Sequence, residues 1–225
     1  MKIYEENIYK KIYFLDNTNY INDNIPERHC NLLELSPYNS NLYIINELNQ
    51  KEQHKFRKYF IPNKIGLYKI ILEFKNKIKN CSYMFYNCKN ILEIDLSSFD
   101  TTETIDMSYM FYNCFNLSKL NLSSFCTKNV KNMEKMFYDC NSLKELNLSS
   151  FETENVTSMA DMFFCCSMLE EIDLSMFNTK NVLDLSRMFG NCHELKKINL
   201  KSFNTEKVVD LRCMFYNCLK LLEID

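Results

Sequence analysis

The hydrophobic positions of this chain recur with a period of 26 residues. Each period opens on a Met-Phe pair, and a cysteine follows the methionine by four residues. The pairs begin at Met84, Met110, Met136, Met162, Met188 and Met214, and the cysteines are Cys88, Cys114, Cys140, Cys166, Cys192 and Cys218. A fixed period of this length is typical of repeat proteins, in which each unit buries its apolar side against the next.

Within one unit, the apolar spacing predicts a short helix followed by a short strand. One face of a 3.6-residue helix would carry Val156, Met159, Met162, Phe163 and Cys166. Thr153 or Asn155 would cap its first turn. Ile172 and Leu174 then alternate with polar residues, as in a strand with one buried face.

The predicted fold class is an α/β solenoid, with a parallel β-sheet on one side and short helices on the other. About six units of 26 residues would occupy residues 65–225. Residues 1–64 do not repeat, and segments 8–15, 42–46 and 54–60 are rich in β-branched and aromatic residues. They predict a small β-rich cap that covers the first unit.

The repeat phrase also resembles a known family. The spacing L-x-x-L-x-L is the leucine-rich-repeat pattern, with phenylalanine where asparagine or cysteine usually sits. The longer stretch NVKNMEKMFYDCNSLKELNLSSFETENV, at 129–156, closely resembles the BspA-like leucine-rich-repeat proteins, and the resemblance extends over about 78–225. It implies the solenoid fold and, from the family's surface proteins, a role in adhesion or protein binding.

Composition and charge exclude several function classes. Lys and Arg total 27 against 29 for Asp and Glu, so no basic excess predicts a nucleic-acid partner. No stretch approaches the roughly 18–20 apolar residues of a membrane span, so no membrane insertion is expected. The first 17 residues lack a signal-peptide pattern. If Met1 is the native start, this predicts a cytoplasmic protein, whereas the resemblance implies the cell surface.

The eleven cysteines are the first candidates for chemistry. The repeating cysteines lie 26 residues apart, unlike the clustered pairs of structural zinc sites, so we expect no metal and no other cofactor. Buried free thiols are favoured, with disulfides or metal binding as alternatives. His193 follows Cys192, but its column is variable and no catalytic motif appears, so we expect no enzyme and no catalytic residues.

A column of mostly aromatic residues follows each Met-Phe pair. Its members are Tyr86, Tyr112, Tyr138, Phe164, Gly190 and Tyr216. Stacking of these rings between units is the favoured interpretation, and an aromatic stripe for a partner is the alternative.

Polar residues that alternate with the buried strand positions are the best candidates for binding. Ten of them form the candidate partner site: Glu93, Asp95, Lys119, Asn121, Glu145, Asn147, Glu171, Asp173, Lys197 and Asn199. Repeat proteins present such faces as extended binding surfaces, although a plain solvated face is the alternative. The sequence thus predicts a non-enzymatic protein-binding module whose partner is another protein. The alternatives are a thiol-based metal or redox protein and a self-assembling array, the latter because the sequence ends within a predicted strand and leaves an open edge.

Overall fold

The repeats stack in parallel, and each unit is shifted by 26 residues relative to the next. The computed structural model describes residues 1–15, 40–46 and 48–224. Parallel bridges join equivalent positions of successive units along the series Asn80, Asp106, Asn132, Ser158, Asp184 and Asp210. The 26-residue period of the sequence is therefore also the unit of stacking.

Short strands supply the remaining regular structure. In chain order they are β1 (Lys2–Ile3), β2 (Ile12–Tyr13), β3 (Ser40–Ile45), β4 (Lys51–His54), β5 (Tyr59–Phe60), β6 (Gly66–Leu67), β7 (Lys69–Phe74), β8 (Glu93–Asp95), β9 (Lys119–Asn121), β10 (Glu171–Asp173), β11 (Lys197–Asn199) and β12 (Glu223–Ile224). Among the described residues, the one helical element is a 3₁₀ turn at Glu5–Asn7. No helix in that part of the chain is long and apolar enough to cross a membrane.

The predicted helix of each unit is wrong, and the backbone hydrogen bonds show why. In unit 156–166, the N–H groups of Asp161 and Phe163 donate to Ser186 and Met188 of the next unit, at 2.9 Å each. The intervening N–H groups of Met162 and Phe164 donate to the carbonyl three residues earlier. An α-helix needs every N–H to reach the carbonyl four residues back, so this alternation produces a chain of turns instead.

Left-handed residues make these turns possible. Asp161 and Cys165 have φ of 56° and 59°, and every unit repeats the pair four residues apart. The second position of the pair is Asn or Asp in most units, which tolerate this conformation better than other non-glycine residues. The first position carries bulky residues such as Tyr109 and Arg187. A chain with only two glycines thus places other residues at the left-handed positions of these turns.

The predicted continuous parallel sheet is also wrong. β8 pairs with β9, and β10, β11 and β12 form a separate sheet, all in parallel and in 26-residue register. Residues 145–147 lie between the two sheets and form no strand. The strands are only two or three residues long, because a turn follows each of them directly.

The core follows the apolar columns that the sequence predicts. Val156, Met159, Met162 and Phe163 have no exposed area, and Cys166 is 1% exposed. Phenylalanine rings of successive units stack with centroids 5.3–5.6 Å apart, along the series Phe85, Phe111, Phe137, Phe163, Phe189 and Phe215. Burial thus depends on which side chains face inward, whether or not the backbone is helical.

The N-terminal part is made of antiparallel strands that touch the first repeat. β3 lies between β4 and β7, while β1 pairs with β6 and β2 with β5. The N–H of Lys2 donates to Asn90 at 3.2 Å, and the rings of Phe74 and Phe99 lie 5.5 Å apart. The division between residues 64 and 65 stays a prediction, and His29 and Cys30 lie outside the described residues.

The last unit exposes columns that are buried elsewhere. Leu211 is 46% exposed, whereas Leu185, its equivalent one unit earlier, is fully buried. Ile224 is likewise 56% exposed and Ile198 is buried. Self-association through this end stays a prediction.

Candidate functional site

All ten predicted site residues line one large groove. The groove has a volume of about 2080 Å³. Its repeat wall contains the full set of Glu93, Asp95, Lys119, Asn121, Glu145, Asn147, Glu171, Asp173, Lys197 and Asn199. Stacking in 26-residue register brings these side chains together, although they span more than one hundred residues of sequence.

One of the two polar columns has a structural role of its own. The side-chain Oδ1 of each Asn or Asp in it accepts the N–H of the residue two positions later, at 2.9–3.2 Å. The column consists of Asp95, Asn121, Asn147, Asp173 and Asn199. These bonds close Asx turns at the end of each strand segment, and either residue type can form them. They also lower the pKa of Asp95 and of Asp173, because the backbone N–H groups of Ser97 and Ser175 stabilise the carboxylates.

The other column is charged, and its charges are paired at both ends but not in the middle. Lys119 contacts Glu93 at 3.0 Å, and Lys197 contacts Glu223 at 3.0 Å. Both pairs are more than half exposed to solvent. Among the described residues, Glu145 and Glu171 have no ion-pair partner within 4.0 Å. The centre of the groove therefore carries three carboxylates without an ion pair among the described residues, those of Glu145, Glu171 and Asp173.

The opposite wall of the groove comes from the N-terminal part. Asn46, Asn49, Leu67, Lys69 and Ile71 line it, with Leu67 and Lys69 exposed. Sequence reasoning missed this wall, because the pairing of β3 with β7 joins segments about thirty residues apart and no repeat pattern marks it.

A comparison with protein-family models identifies the repeats. The model described as "Mycoplasma protein of unknown function, DUF285" matches residues 63–163 and again 139–223. The chain belongs to this family. The two matches together cover more than two thirds of the chain and include every repeat unit that lines the groove. No curated protein and no solved structure matches the chain.

In these DUF285 repeats, the cysteines that follow the Met-Phe pairs donate hydrogen bonds, and all of them are buried except half-buried Cys218. Five Sγ atoms of this column donate to the carbonyl of the phenylalanine 29 residues earlier, at 3.0–3.2 Å: those of Cys114, Cys140, Cys166, Cys192 and Cys218. The ten cysteines among the described residues are all free thiols. Burial raises the pKa of Cys114 to about 12 and that of Cys140 well above its ordinary value. At neutral pH these thiols are protonated, which suits a donor and opposes a nucleophile.

Alkylation of the native chain should therefore separate two classes of cysteine. At pH 8 we expect iodoacetamide to label exposed Cys213 first, and Cys114, Cys140 and Cys192 roughly a hundredfold more slowly or less, because their reaction requires opening of the stack. Site-resolved mass spectrometry measures each rate, and the difference should vanish in denaturant. Fast labelling of Cys140, or new thiols released by a reductant or a chelator, would contradict this and favour the thiol-based metal or redox alternative.

A column of buried threonines also bonds successive units, and the sequence pattern does not predict it. We call this column the threonine ladder. The hydroxyl of Thr153 donates to the carbonyl of Asn178 at 3.2 Å and accepts the N–H of the same residue at 2.8 Å. Thr101, Thr127 and Thr179 repeat this arrangement with the residue 25 positions later. The predicted role of Thr153 as a helix cap is wrong, because its hydroxyl bridges two units instead.

The aromatic column stacks between units, as the favoured interpretation predicts. Ring centroids lie 4.8, 4.6 and 5.0 Å apart along Tyr86, Tyr112, Tyr138 and Phe164. The series stops at Gly190, where a Cβ would lie 2.8 Å from the ring of Phe164. Because the rings stack face to face, they present edges rather than faces to solvent.

One buried carboxylate lies on the turn side of the repeats. Asp161 Oδ2 contacts Arg187 Nη2 at 3.0 Å and Lys135 Nζ at 3.6 Å, and the Asp161 side chain is 2% exposed. Burial raises its pKa, although Arg187 and Lys135 oppose the shift. Glu134 and Tyr109 also contact Lys135. The network joins four successive units and holds the charges of this column in place.

The described residues contain no group of three His, Cys, Asp or Glu side chains arranged to hold a metal ion. His193 contacts the Asn217 side chain at 3.0 Å, and the neighbouring Cys192 is fully buried with its thiol bonded to Phe163. These two side chains therefore have separate partners and do not form a Cys-His pair.

Proposed function

We propose that this chain is a non-enzymatic protein-binding repeat module that holds a segment of another protein in its groove. The single observation that supports this is the gathering of all ten polar residues of the repeats, together with residues of the N-terminal strands, around one groove. Interfaces need polar groups that fix orientation and apolar surface that loses water on binding. Exposed Leu67 and Met176 supply apolar surface beside the charged columns.

The resemblance to BspA-like proteins supports a more specific role. Members of that family are mostly surface proteins of adhesion or protein binding, so we propose adhesion at a cell surface as the setting of this binding. The repeating cysteines support no competing function, because their Sγ atoms donate to backbone carbonyls.

A bulky substitution inside the groove tests the proposal. Peptides are first selected on the purified full chain from a random displayed library, and each is then measured by fluorescence anisotropy. Ser149 lines the groove, is exposed and leaves its hydroxyl without a bond to any described residue. We expect Ser149→Trp to weaken binding of most selected peptides by at least about tenfold, because the indole occupies the groove.

Ser98→Trp is the matched control, since Ser98 is equally exposed and does not line the groove. It should leave the affinities within about twofold of the parent chain. Peptides that bind Ser149→Trp and the parent chain equally well would place binding elsewhere and contradict the proposal.

A further inference from the structure

We infer that the partner segment is an extended, basic stretch of polypeptide with two Lys or Arg side chains two residues apart. These side chains would meet Glu145 and Glu171. The inference rests on the proposed function, since it specifies what the same groove binds. It follows from the charges of the repeat wall and from the spacing of the units.

Several charged groups that line the groove already have partners within the chain. Its lining holds five carboxylates against three lysines and the amino terminus of Met1. Lys119 is occupied by Glu93, and Lys197 by Glu223. The amino group of Met1 donates to the carbonyl of Tyr68 at 2.9 Å, away from the central carboxylates. Lys69, the third lysine, acts electrostatically on Asp95. Glu145, Glu171 and Asp173 are left without an ion pair among the described residues, and a cationic partner supplies the missing counter-charge.

The distance between successive units determines which spacing of basic residues in the partner fits the groove. Rings of successive units lie 4.6–6.4 Å apart, and the rings of Phe151 and Phe177, in the units of Glu145 and Glu171, are 6.4 Å apart. In an extended peptide, residues i and i+2 point to the same side about 6.6 Å apart, whereas i and i+1 point to opposite sides. The flexible lysine stem spans the small mismatch. A Lys-x-Lys arrangement along the stack therefore matches two adjacent units.

Amide groups in the column that closes the Asx turns can bind the backbone of such a segment. The Oδ1 atoms of Asn147 and Asn199 accept hydrogen bonds from the turn N–H groups of Ser149 and Lys201, respectively. That bond orients each amide and leaves its Nδ2 group without a partner among the described residues. Asn147 places one such donor beside Glu145, where it can meet a carbonyl acceptor of an extended peptide. Beside Glu171 the same column carries Asp173, which adds a carboxylate.

Nucleic acid is the wrong chemistry for this surface, because phosphates would face uncompensated carboxylates. A neutral glycan needs no charge at Glu145 and Glu171, which makes it an outcome that the test distinguishes.

The test uses short synthetic peptides labelled with fluorescein. The first carries two lysines two residues apart in a threonine-rich background, the second carries the lysines adjacent, and the third carries glutamates in place of the lysines. Anisotropy is measured with the full chain at low and at high ionic strength. At low ionic strength we expect the spaced-lysine peptide to bind about tenfold tighter than the glutamate peptide and measurably tighter than the adjacent-lysine peptide.

Charge reversal in the protein provides the decisive comparison. We expect the double variant Glu145→Lys/Glu171→Lys to reverse the preference, so that the glutamate peptide binds about tenfold tighter than the lysine peptides. Glu152→Lys/Glu206→Lys is the matched control. It changes the net charge equally, at exposed carboxylates without an ion pair among the described residues and outside the groove. It should keep the parent preference.

The outcomes separate this inference from the proposed function. Equal loss of binding in both double variants would indicate general charge attraction and overturn the inference. Binding of all peptides alike, still blocked by Ser149→Trp, would overturn the inference and leave the proposed function standing. Absence of peptide binding, with a neutral oligosaccharide bound instead and blocked by Ser149→Trp, would overturn both.

Discussion

Replacement of Phe137 by alanine is expected to lower the free energy of unfolding by about 3–5 kcal/mol. The ring of Phe137 has no exposed area and stacks between Phe111 and Phe163, with both centroids 5.5 Å away. Its loss removes buried apolar surface and leaves a cavity that the units above and below cannot fill, because each is held at a fixed distance by backbone bonds to the Phe137 unit. Denaturant unfolding followed by tyrosine fluorescence measures the change, as the chain has 14 tyrosines and no tryptophan.

Phe115→Ala is the matched control. Phe115 is 47% exposed, so its removal should change stability by less than about 0.5 kcal/mol. A loss at Phe115 similar to that at Phe137 would show that the phenylalanine stack does not carry the packing of the repeats.

Replacement of Thr153 by valine is expected to cost about 2–4 kcal/mol, since both the N–H and the carbonyl of Asn178 lose their partner in a buried place. Valine keeps the shape and the β-branch of threonine, so packing changes little. The thermal or denaturant midpoint of the variant should fall accordingly. Thr153→Ser keeps the hydroxyl and should recover most of the stability.

Thr157→Val tests whether the loss of any threonine hydroxyl lowers stability to the same extent. Thr157 is exposed, and its hydroxyl donates to Lys131 at 3.1 Å, a bond that water replaces. We expect a change of about 0.5 kcal/mol or less. If valine at 153 were as harmless as at 157, the threonine ladder would be incidental to the stack.

The helix that the sequence predicts for each unit illustrates a limit of periodicity. The apolar spacing of Val156, Met159, Met162 and Phe163 selects the buried face, and that face is buried as expected. The same spacing is compatible with turns whose alternate N–H groups bond to the next unit. Which of the two forms depends on a partner backbone 25 residues away, and local periodicity does not contain that information.

The candidate site was likewise predictable only in part. The repeat step identified all ten residues of the repeat wall, because register alone aligns them. It did not distinguish Asn147, which closes a turn, from Glu145, which has no such bond. That distinction comes from where a side-chain oxygen lies relative to the N–H two residues later. The N-terminal wall required two long-range pairings, that of β1 with β6 for Leu67 and that of β3 with β7 for Lys69.

The sequence by itself determined the 26-residue unit, the inward columns of methionine, phenylalanine and cysteine, and the polar columns left outside. These follow from burial, which any close stacking of identical units must satisfy. The tertiary structure decided that the units are turns rather than helices, that the parallel strands divide into two short sheets, and that cysteine and threonine bond the units together. It also decided that the polar face is one wall of a groove. Each of these depends on hydrogen bonds between residues distant in sequence, and their geometry exists only once neighbouring units are in place.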